Sequence, residues 1–421
     1  MSAGTQTADV IVIGLGAAGS ACAYQLAKRR LLVIALDRHH PPHDKGSSHG
    51  ESRITRQAIG EGDDYVPLAL RAHHLWREIE AETGEILMLQ SGALVIGGLD
   101  SGAAHQGKQD FVRRTIDAAR RFAIPHELIT SDEAGRRFPM LTLRGDESVY
   151  FEPGAGLLRP ERCVAAQIAL ARRHGAVIRT GETALQILDE VDGVRVTTDR
   201  GAYCADQVVV AAGPWASEVL RDDRLAPSLS TYRQTMHWFE PADPAPFAPD
   251  RFPVFIWMHG AGAKDWFYGF PILPGTTGLK IADERFDQLL PGPQAQSQEI
   301  GPAASRNMLR RHIVGRVSGV TDRCLRSSAC LYTMAPDSRF LIGRDPGRER
   351  MILVSACSGH GFKHSAAIGE LVAELAAGDP PPLLAPFDLR DIQSRRTVVT
   401  KTDDTYRADH IEMDGSRHGT P

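Results

Sequence analysis

Three glycines and a later acid are the clearest chemical signal in this chain. In Gly14-Leu-Gly16-Ala-Ala-Gly19, the first glycine permits a tight turn and the second leaves backbone free for a pyrophosphate. The third lets helix and strand pack closely. The motif follows an apolar run, Val10 to Ile13, and opens an alanine-rich helical pattern whose N-terminus would offer free N–H groups to negative charge. A second apolar run, Leu31 to Leu36, delivers Asp37, 18 residues past Gly19, where a carboxylate can accept hydrogen bonds from ribose hydroxyls. Strand, glycine turn, helix, strand and acid in this order predict a dinucleotide site. The motif does not choose between nicotinamide and flavin.

The elements that must position this chemistry are legible in outline. Helical periodicity predicts helices over Tyr65 to Glu82 and, after Pro160 at a first helical position, over Glu161 to His174. Turns at Asp192-Gly193 and Asp199-Arg200-Gly201 predict a short antiparallel meander leading into the apolar strand that starts at Gln207 and stops at Gly213-Pro214. Residues 221–330 change style. Thr231 to Phe239, Phe252 to Met258, Trp266 to Phe270 and Gly278 to Ile281 are aromatic and β-branched runs between Pro and Gly clusters, as in an antiparallel sheet. The first style returns with a strand over Met351 to Ala356, a glycine turn over Cys357 to Phe362 and a helix over Lys363 to Ala376. Two interleaved domains, each built from separate stretches, are the economical reading of an α/β chain of 421 residues.

Composition narrows the function classes. A net charge of −4 and the lack of a Lys/Arg run exclude an electrostatic nucleic-acid binder. No apolar run reaches membrane-spanning length, and Met1 to Thr7 shows no signal-peptide pattern. Six cysteines with no CxxC pairing fit a reducing cytoplasm. The four histidines between His39 and His49 are interrupted by Pro41-Pro42 and lack a matched distal pair, so no metal site is expected. Gly-x-Ser-x-Gly is absent, which leaves a nucleophile-elbow hydrolase without support.

Several separate, collinear blocks carry a resemblance. They are Ser47-Ser-His-Gly-Glu-Ser-Arg53-Ile-Thr-Arg56-Gln-Ala-Ile-Gly-Glu61, Tyr65-Val-Pro-Leu-Ala-Leu-Arg, Tyr268-Gly-Phe-Pro, Ser328-Ala-Cys330-Leu-Tyr-Thr and Ser358-Gly359-His-Gly361-Phe-Lys363. From about residue 8 to about residue 385 the chain resembles the monomeric sarcosine oxidase and N-methyltryptophan oxidase family. The resemblance implies an FAD-binding Rossmann-like domain (8–85, 150–220 and 331–385) interleaved with an antiparallel-sheet substrate domain (86–149 and 221–330), and a polar tail over 386–421. It also implies FAD tethered through a thioether to Cys330. Taken alone, Cys330 reads as a small core residue; Cys324 and Cys357, with no matching block, read as core.

The resemblance further implies that His49 and Arg53 contact the isoalloxazine and that Arg56 and Lys363 hold a substrate carboxylate. That chemistry suits a planar guanidinium fork and a point charge. Lys280 would sit over the flavin, where a fixed ammonium stabilises superoxide as it forms. Tyr268 would form an aromatic wall beside the amine, and the Gly359–Gly361 turn would face the flavin pyrimidine with a helix N-terminus. The implied reaction is oxidation of a secondary amine bearing a carboxylate, sarcosine or another N-methyl amino acid, by a monomer that reduces O2 to H2O2. Two positions depart from the family pattern. Glu284 stands where sarcosine-preferring members carry histidine, and Ile59 replaces a loop tyrosine. Glu284 would repel a small carboxylate and attract an ammonium or a sugar hydroxyl. A fructosyl-amine or other bulky secondary-amine oxidase is therefore the enzymatic alternative. A catalytically silent flavin-binding protein is the alternative from another class.

Overall fold

The strand Gln6–Ile13 is the centre from which the first layer grows. Its residues Val10 to Ile13 are buried, and an uninterrupted apolar run is what a parallel strand covered on both faces requires. In this computed structural model, which describes residues 6–99, 109–220, 229–335, 337–378 and 380–389, that strand pairs in parallel with Val33–Asp37 and with Ala202–Val210. Val177–Thr180 extends the sheet beyond Val33–Asp37. The Ala202–Val210 strand has two partners on its outer side. Its first half pairs antiparallel with Gly193–Thr198, and its second half pairs in parallel with Arg348–Ser355. The meander and the late strand expected from the sequence thus join one eight-stranded sheet.

The helices Pro160–Arg173 and Ser365–Ala377 both pack against Ala17–Lys28. Small side chains make this possible. A Cβ on Gly369 would stand 2.4–2.5 Å from the Ala21 carbonyl carbon and Cβ, so these two helices touch at backbone distance.

The second layer is a nine-stranded sheet. Ser230–Pro241, Val254–Met258, Trp266–Gly269 and Leu279–Ala282 form where expected. The sheet is mostly antiparallel, but Val254–Met258 pairs in parallel with Ala93–Gly97. Val320–Met334 adds a 15-residue strand along Ser230–Pro241. The expected domain borders at 150 and 331 fall inside two strands of this sheet, Ser148–Glu152 and Val320–Met334. A three-stranded sheet of Arg53–Thr55, Gly156–Leu158 and Met88–Leu89 bridges the layers. The tail expected from 386 needs correction: Phe387 and Leu389 are fully buried, because apolar side chains there complete the cores beneath the first sheet. Residues 390–421 lie outside the described residues.

Replacing Gly369 with Ala forces these helices apart, and overpacking of this kind costs about 1–3 kcal/mol. The urea midpoint of Gly369→Ala is expected to fall accordingly. An unchanged midpoint would contradict the helix contact.

Candidate active site

One long cleft runs from the glycine turn to the face of the second sheet, enclosing about 1840 Å³ of free space, its solvent mouth included. Gly14, Gly16, Asp37, Gly359 and Gly361 line it. Gly14 has φ +92°, and a Cβ there would meet the Ala211 carbonyl oxygen at 2.5 Å. A Cβ on Gly19 would overlap the Gly14 carbonyl oxygen at 1.8 Å, so Gly19 acts beneath the turn and is not itself on the wall. On Gly16 a Cβ would meet only the Ser48 hydroxyl, at 3.4 Å. That is open backbone at a helix N-terminus whose Ala17 N–H donates to the Ser48 hydroxyl at 3.1 Å, which fits the pyrophosphate of a dinucleotide. Asp37 accepts from the Leu15 N–H at 2.8 Å and from the His39 N–H at 2.7 Å. Burial opposes its ionisation, but these bonds and nearby His43 outweigh that and hold the carboxyl below the usual range. The acid expected at the ribose therefore also ties the glycine turn to the end of Val33–Asp37.

The loop from Ser47 to Glu61 is pinned from three sides. The Glu161 carboxylate accepts from the N–H groups of Gly50 and Glu51 at 2.6 and 3.1 Å. Glu152 accepts from those of Gln57 and Ala58 at 2.7 and 3.2 Å. Lys280 donates from Nζ to the carbonyls of Gly50 and Ser52 at 2.7 and 2.8 Å and to the Ser52 hydroxyl at 3.3 Å. Three acceptors match the three N–H bonds of an ammonium. Lys280 also faces the Phe270 ring at 4.6 Å. Burial, then the neighbouring Arg53, pushes its pKa well below the ordinary lysine range.

Arg53 reaches the cleft wall, while His49, Lys280 and Cys330 stand just behind it. Arg53 donates from Nη2 to the Ser47 carbonyl at 2.9 Å and lies 3.7 Å from the Cys330 sulfur. Burial raises the Cys330 thiol pKa, and Arg53 opposes that rise. His49 is buried and its Nε2 has no hydrogen-bond partner. Burial, with Arg53 beside it, lowers its pKa to about 4. The cation of this pair at neutral pH is Arg53, not His49.

At the far end, Arg56 is 1% exposed. It donates from Nη2 to Glu61 Oε2 at 2.5 Å, donates to the Ala58 carbonyl, and lies over the Phe111 ring at 5.2 Å. Lys363 donates to the His360 carbonyl at 2.8 Å and lies 4.0 Å from Glu61 Oε1. Burial lowers its pKa to about 8, with Glu61 acting the other way. The expected carboxylate clamp is thus assembled around a carboxylate of the protein's own. Tyr268, Glu284 and Tyr332 complete the wall, with Trp266 and Phe270 around Tyr268. The Glu284 charge acts on Lys363 and on the phenols of Tyr268 and Tyr332.

Only Gly can occupy position 361, where a Cβ would stand 1.5 Å from the Ala356 carbonyl oxygen. The expected helix over Lys363 to Ala376 instead begins at Ser365, after a 3-10 turn over Phe362–His364 that carries Lys363.

Arg56, Lys363, Tyr268 and Glu284, from four distant stretches, therefore share one cavity. Sequence reasoning missed Glu61, Glu152 and Glu161. Glu61 belongs to the first quoted block and could have been weighed there; the other two carried no local signal. Cys357, read as core, is half-buried and lines the cleft, because it sits at the exit of Arg348–Ser355 where the chain turns across the cavity. Ile59, at the expected tyrosine position, is buried in the core. Cys324 is half-exposed on Val320–Met334.

A glycine-turn cradle opening into a closed, charge-bearing end between two sheets fits a dinucleotide-dependent oxidoreductase. The model of the family described as "FAD dependent oxidoreductase" matches residues 9–375, and the chain belongs to that family. It is 37% identical over 382 residues to a monomeric sarcosine oxidase of Streptomyces avermitilis, covering 88% of this chain and 94% of that protein. It is 31% identical over 385 residues to an N-methyl-L-tryptophan oxidase of Salmonella typhimurium, covering 90% and 98%. Among solved structures, the open form of NikD, titled an unusual amino acid oxidase essential for nikkomycin biosynthesis, matches with TM-score 0.76 and 26% identity. That match covers 90% of this chain and 96% of that one. The chain is an FAD-dependent oxidoreductase of the sarcosine oxidase-like family, and no described helix is long and apolar enough to cross a membrane.

Burial lowers the pKa of His49, His73, His237 and His259 to about 4, from an ordinary 6.5. Between these values the unfolded chain binds protons that the folded chain refuses, so stability falls as pH drops from about 6.5 towards about 4. Urea midpoints measured across that window should fall with pH. His73→Gln, which removes one such group, should show a shallower slope.

Proposed function

We propose that this protein oxidises a secondary amine bearing a carboxylate, an N-methyl amino acid being the simplest case. The single observation that carries the reading is Arg56 and Lys363 meeting at the buried Glu61 carboxylate on the cleft that Tyr268 also lines. The residues present fit FAD: open backbone at Gly16, the Gly359–Gly361 turn and the orphaned His49 Nε2 all border or back one cleft. When bound, FAD accepts two electrons from the C–H next to nitrogen and passes them to O2. The net reaction consumes amine, O2 and water and yields aldehyde, the dealkylated amine and H2O2.

The protein's own share is binding and charge. Arg56 and Lys363 take the substrate carboxylate, which must replace Glu61 as their partner. Exchange of one anion for another keeps a carboxylate beside both buried cations throughout. Tyr268, Trp266 and Phe270 give the amine an aromatic wall that excludes water, where a cationic nitrogen is favoured. Arg53, fixed by the Ser47 and Ser52 carbonyls, holds positive charge where electron density arrives. Lys280 supports oxygen reduction through its field and positions the His49–Arg53 loop through its carbonyl contacts. Cys330 is assigned as the flavin tether. The thiolate is the nucleophile in such an attachment, and the guanidinium beside it favours that form. Six free cysteines suit a reducing cytoplasm.

Glu284 on the same wall supports a second reading, in which the N-substituent carries hydroxyls or a second cation, as in a fructosyl amine. Anaerobic bleaching of the flavin by sarcosine, N-methyltryptophan, pipecolate and fructosyl-glycine distinguishes these. The first reading expects bleaching by an N-methyl amino acid; turnover of the sugar adduct alone would overturn it. Lys363→Met removes one charge-assisted bond of about 1.5–3 kcal/mol, so kcat/KM should fall roughly tenfold to a hundredfold. A silent flavin binder would be bleached by none of the four.

The tether has its own check. After acid precipitation the yellow colour should remain with wild-type protein and leave Cys330→Ser. Colour retained by Cys330→Ser would move the attachment elsewhere, with Cys357, the thiol that lines the cleft, the next candidate.

A further inference from the structure

A second cavity, about 610 Å³ with its mouth included, lies against the substrate end of the main cleft. Two residues, Glu61 and His360, belong to both walls. Its rim is open: the side chains of Asp63, Asp64 and Arg339 are 42%, 44% and 40% exposed. Its floor is closed, with the Glu61 side chain 5% exposed. The cavity therefore runs from solvent down to the ion pair that holds the carboxylate clamp shut.

The lining carries both signs of charge. Glu61, Asp63, Asp64 and Asp337 are acidic; Arg114 and Arg339 are basic. The rim is bridged by Arg339 Nη2 and Asp64 Oδ2 at 3.4 Å. Arg114 donates from Nε to the Gly60 carbonyl at 2.8 Å, next to the Glu61 floor. A wall with both signs suits a zwitterion, whose two charges can exchange with the rim pairs Asp63–Arg121 and Asp64–Arg339. A dinucleotide seated at the glycine turn would occupy that arm of the main cleft, and the second cavity gives the clamp an opening to solvent away from it.

We propose that this second cavity is the route by which a zwitterionic amine reaches the clamp in the holoenzyme, with the Glu61–Arg56 pair as the partition. The incoming carboxylate meets Arg114 and Arg339 near the rim and then exchanges with Glu61 on Arg56 and Lys363. The proposal deepens the amine-oxidase reading and depends on it only for the identity of the ligand.

The test uses Asp64→Cys holoenzyme. Asp64 precedes the Tyr65–Thr83 helix without making a side-chain capping bond, so the replacement leaves the helix intact. A bulky methanethiosulfonate placed there obstructs the rim and is removed by dithiothreitol, so one folded sample serves as its own control. Wild-type protein treated identically accounts for native thiols. The expected result is at least a fivefold loss of kcat/KM for the amine, reversed by dithiothreitol, with the flavin reduction rate at saturating amine unchanged. Propionate, a carboxylate without an amine, should associate more slowly by the same factor, read as a stopped-flow change in flavin absorbance. Arg339→Trp should give the same slowing without a reagent. Labelled enzyme that takes up both probes at the unlabelled rate overturns the route. If no amine bleaches the flavin but propionate association slows on labelling, the oxidase reading fails and the route stands. If neither probe perturbs the unlabelled flavin, both fall.

Discussion

Two buried cations at the end of the cleft must be neutralised at every stage, and much of the surrounding architecture follows from that constraint. Arg56 and Lys363 lie where water cannot screen them, and an unpaired charge in such a place costs several kcal/mol. Glu61 answers this with a bond to Arg56 at 2.5 Å and an approach to Lys363 at 4.0 Å. The site is therefore not an open pair of cations waiting for an anion. It is a closed set of charges, and in the proposed reaction a ligand's carboxylate displaces the protein's own. On that proposal, affinity measures a difference between two carboxylates, and Glu61 bears on specificity alongside the cations.

Holding that set together requires the loop from Ser47 to Glu61 to stand still without regular structure over most of its length. Backbone N–H groups and carbonyls buried away from water need partners, and here charged side chains supply them. Glu161 and Glu152 receive four N–H groups, and Lys280 caps two carbonyls. Each clamp comes from a different element: the Pro160–Arg173 helix, the Ser148–Glu152 strand and the Leu279–Ala282 strand. The loop is thus fastened to the second sheet and to a helix of the first layer. A disturbance in either layer reaches His49, Arg53 and Arg56 through these bonds.

Lys280 illustrates how one residue can serve two demands. Its ammonium satisfies loop carbonyls and lies against the rings of Phe270 and Trp238. Because it is one layer behind the wall, its charge acts on the cleft through a low-dielectric interior, where fields carry further than in water.

What the chain settled on its own was local. The apolar runs around Gly14–Gly19, the proline at the start of the Pro160–Arg173 helix and the glycines at 359 and 361 constrain neighbouring backbone directly, so those elements appear close to where periodicity and turn chemistry put them. Arg56, Lys363 and Tyr268, each from one of the quoted blocks, line one cavity together with Glu284, which stood out only as a departure from the family pattern. Tertiary structure alone decided what depends on contacts between distant stretches: the parallel pairing of Val254–Met258 with Ala93–Gly97, the long Val320–Met334 strand, and the burial of Phe387 and Leu389. The same holds for Cys357 at the cleft and for the carboxylates that hold the loop. A glutamate that caps a loop a hundred residues away looks like any surface glutamate until the chain has folded, because its role is set by the polar groups it meets and not by its neighbours in sequence.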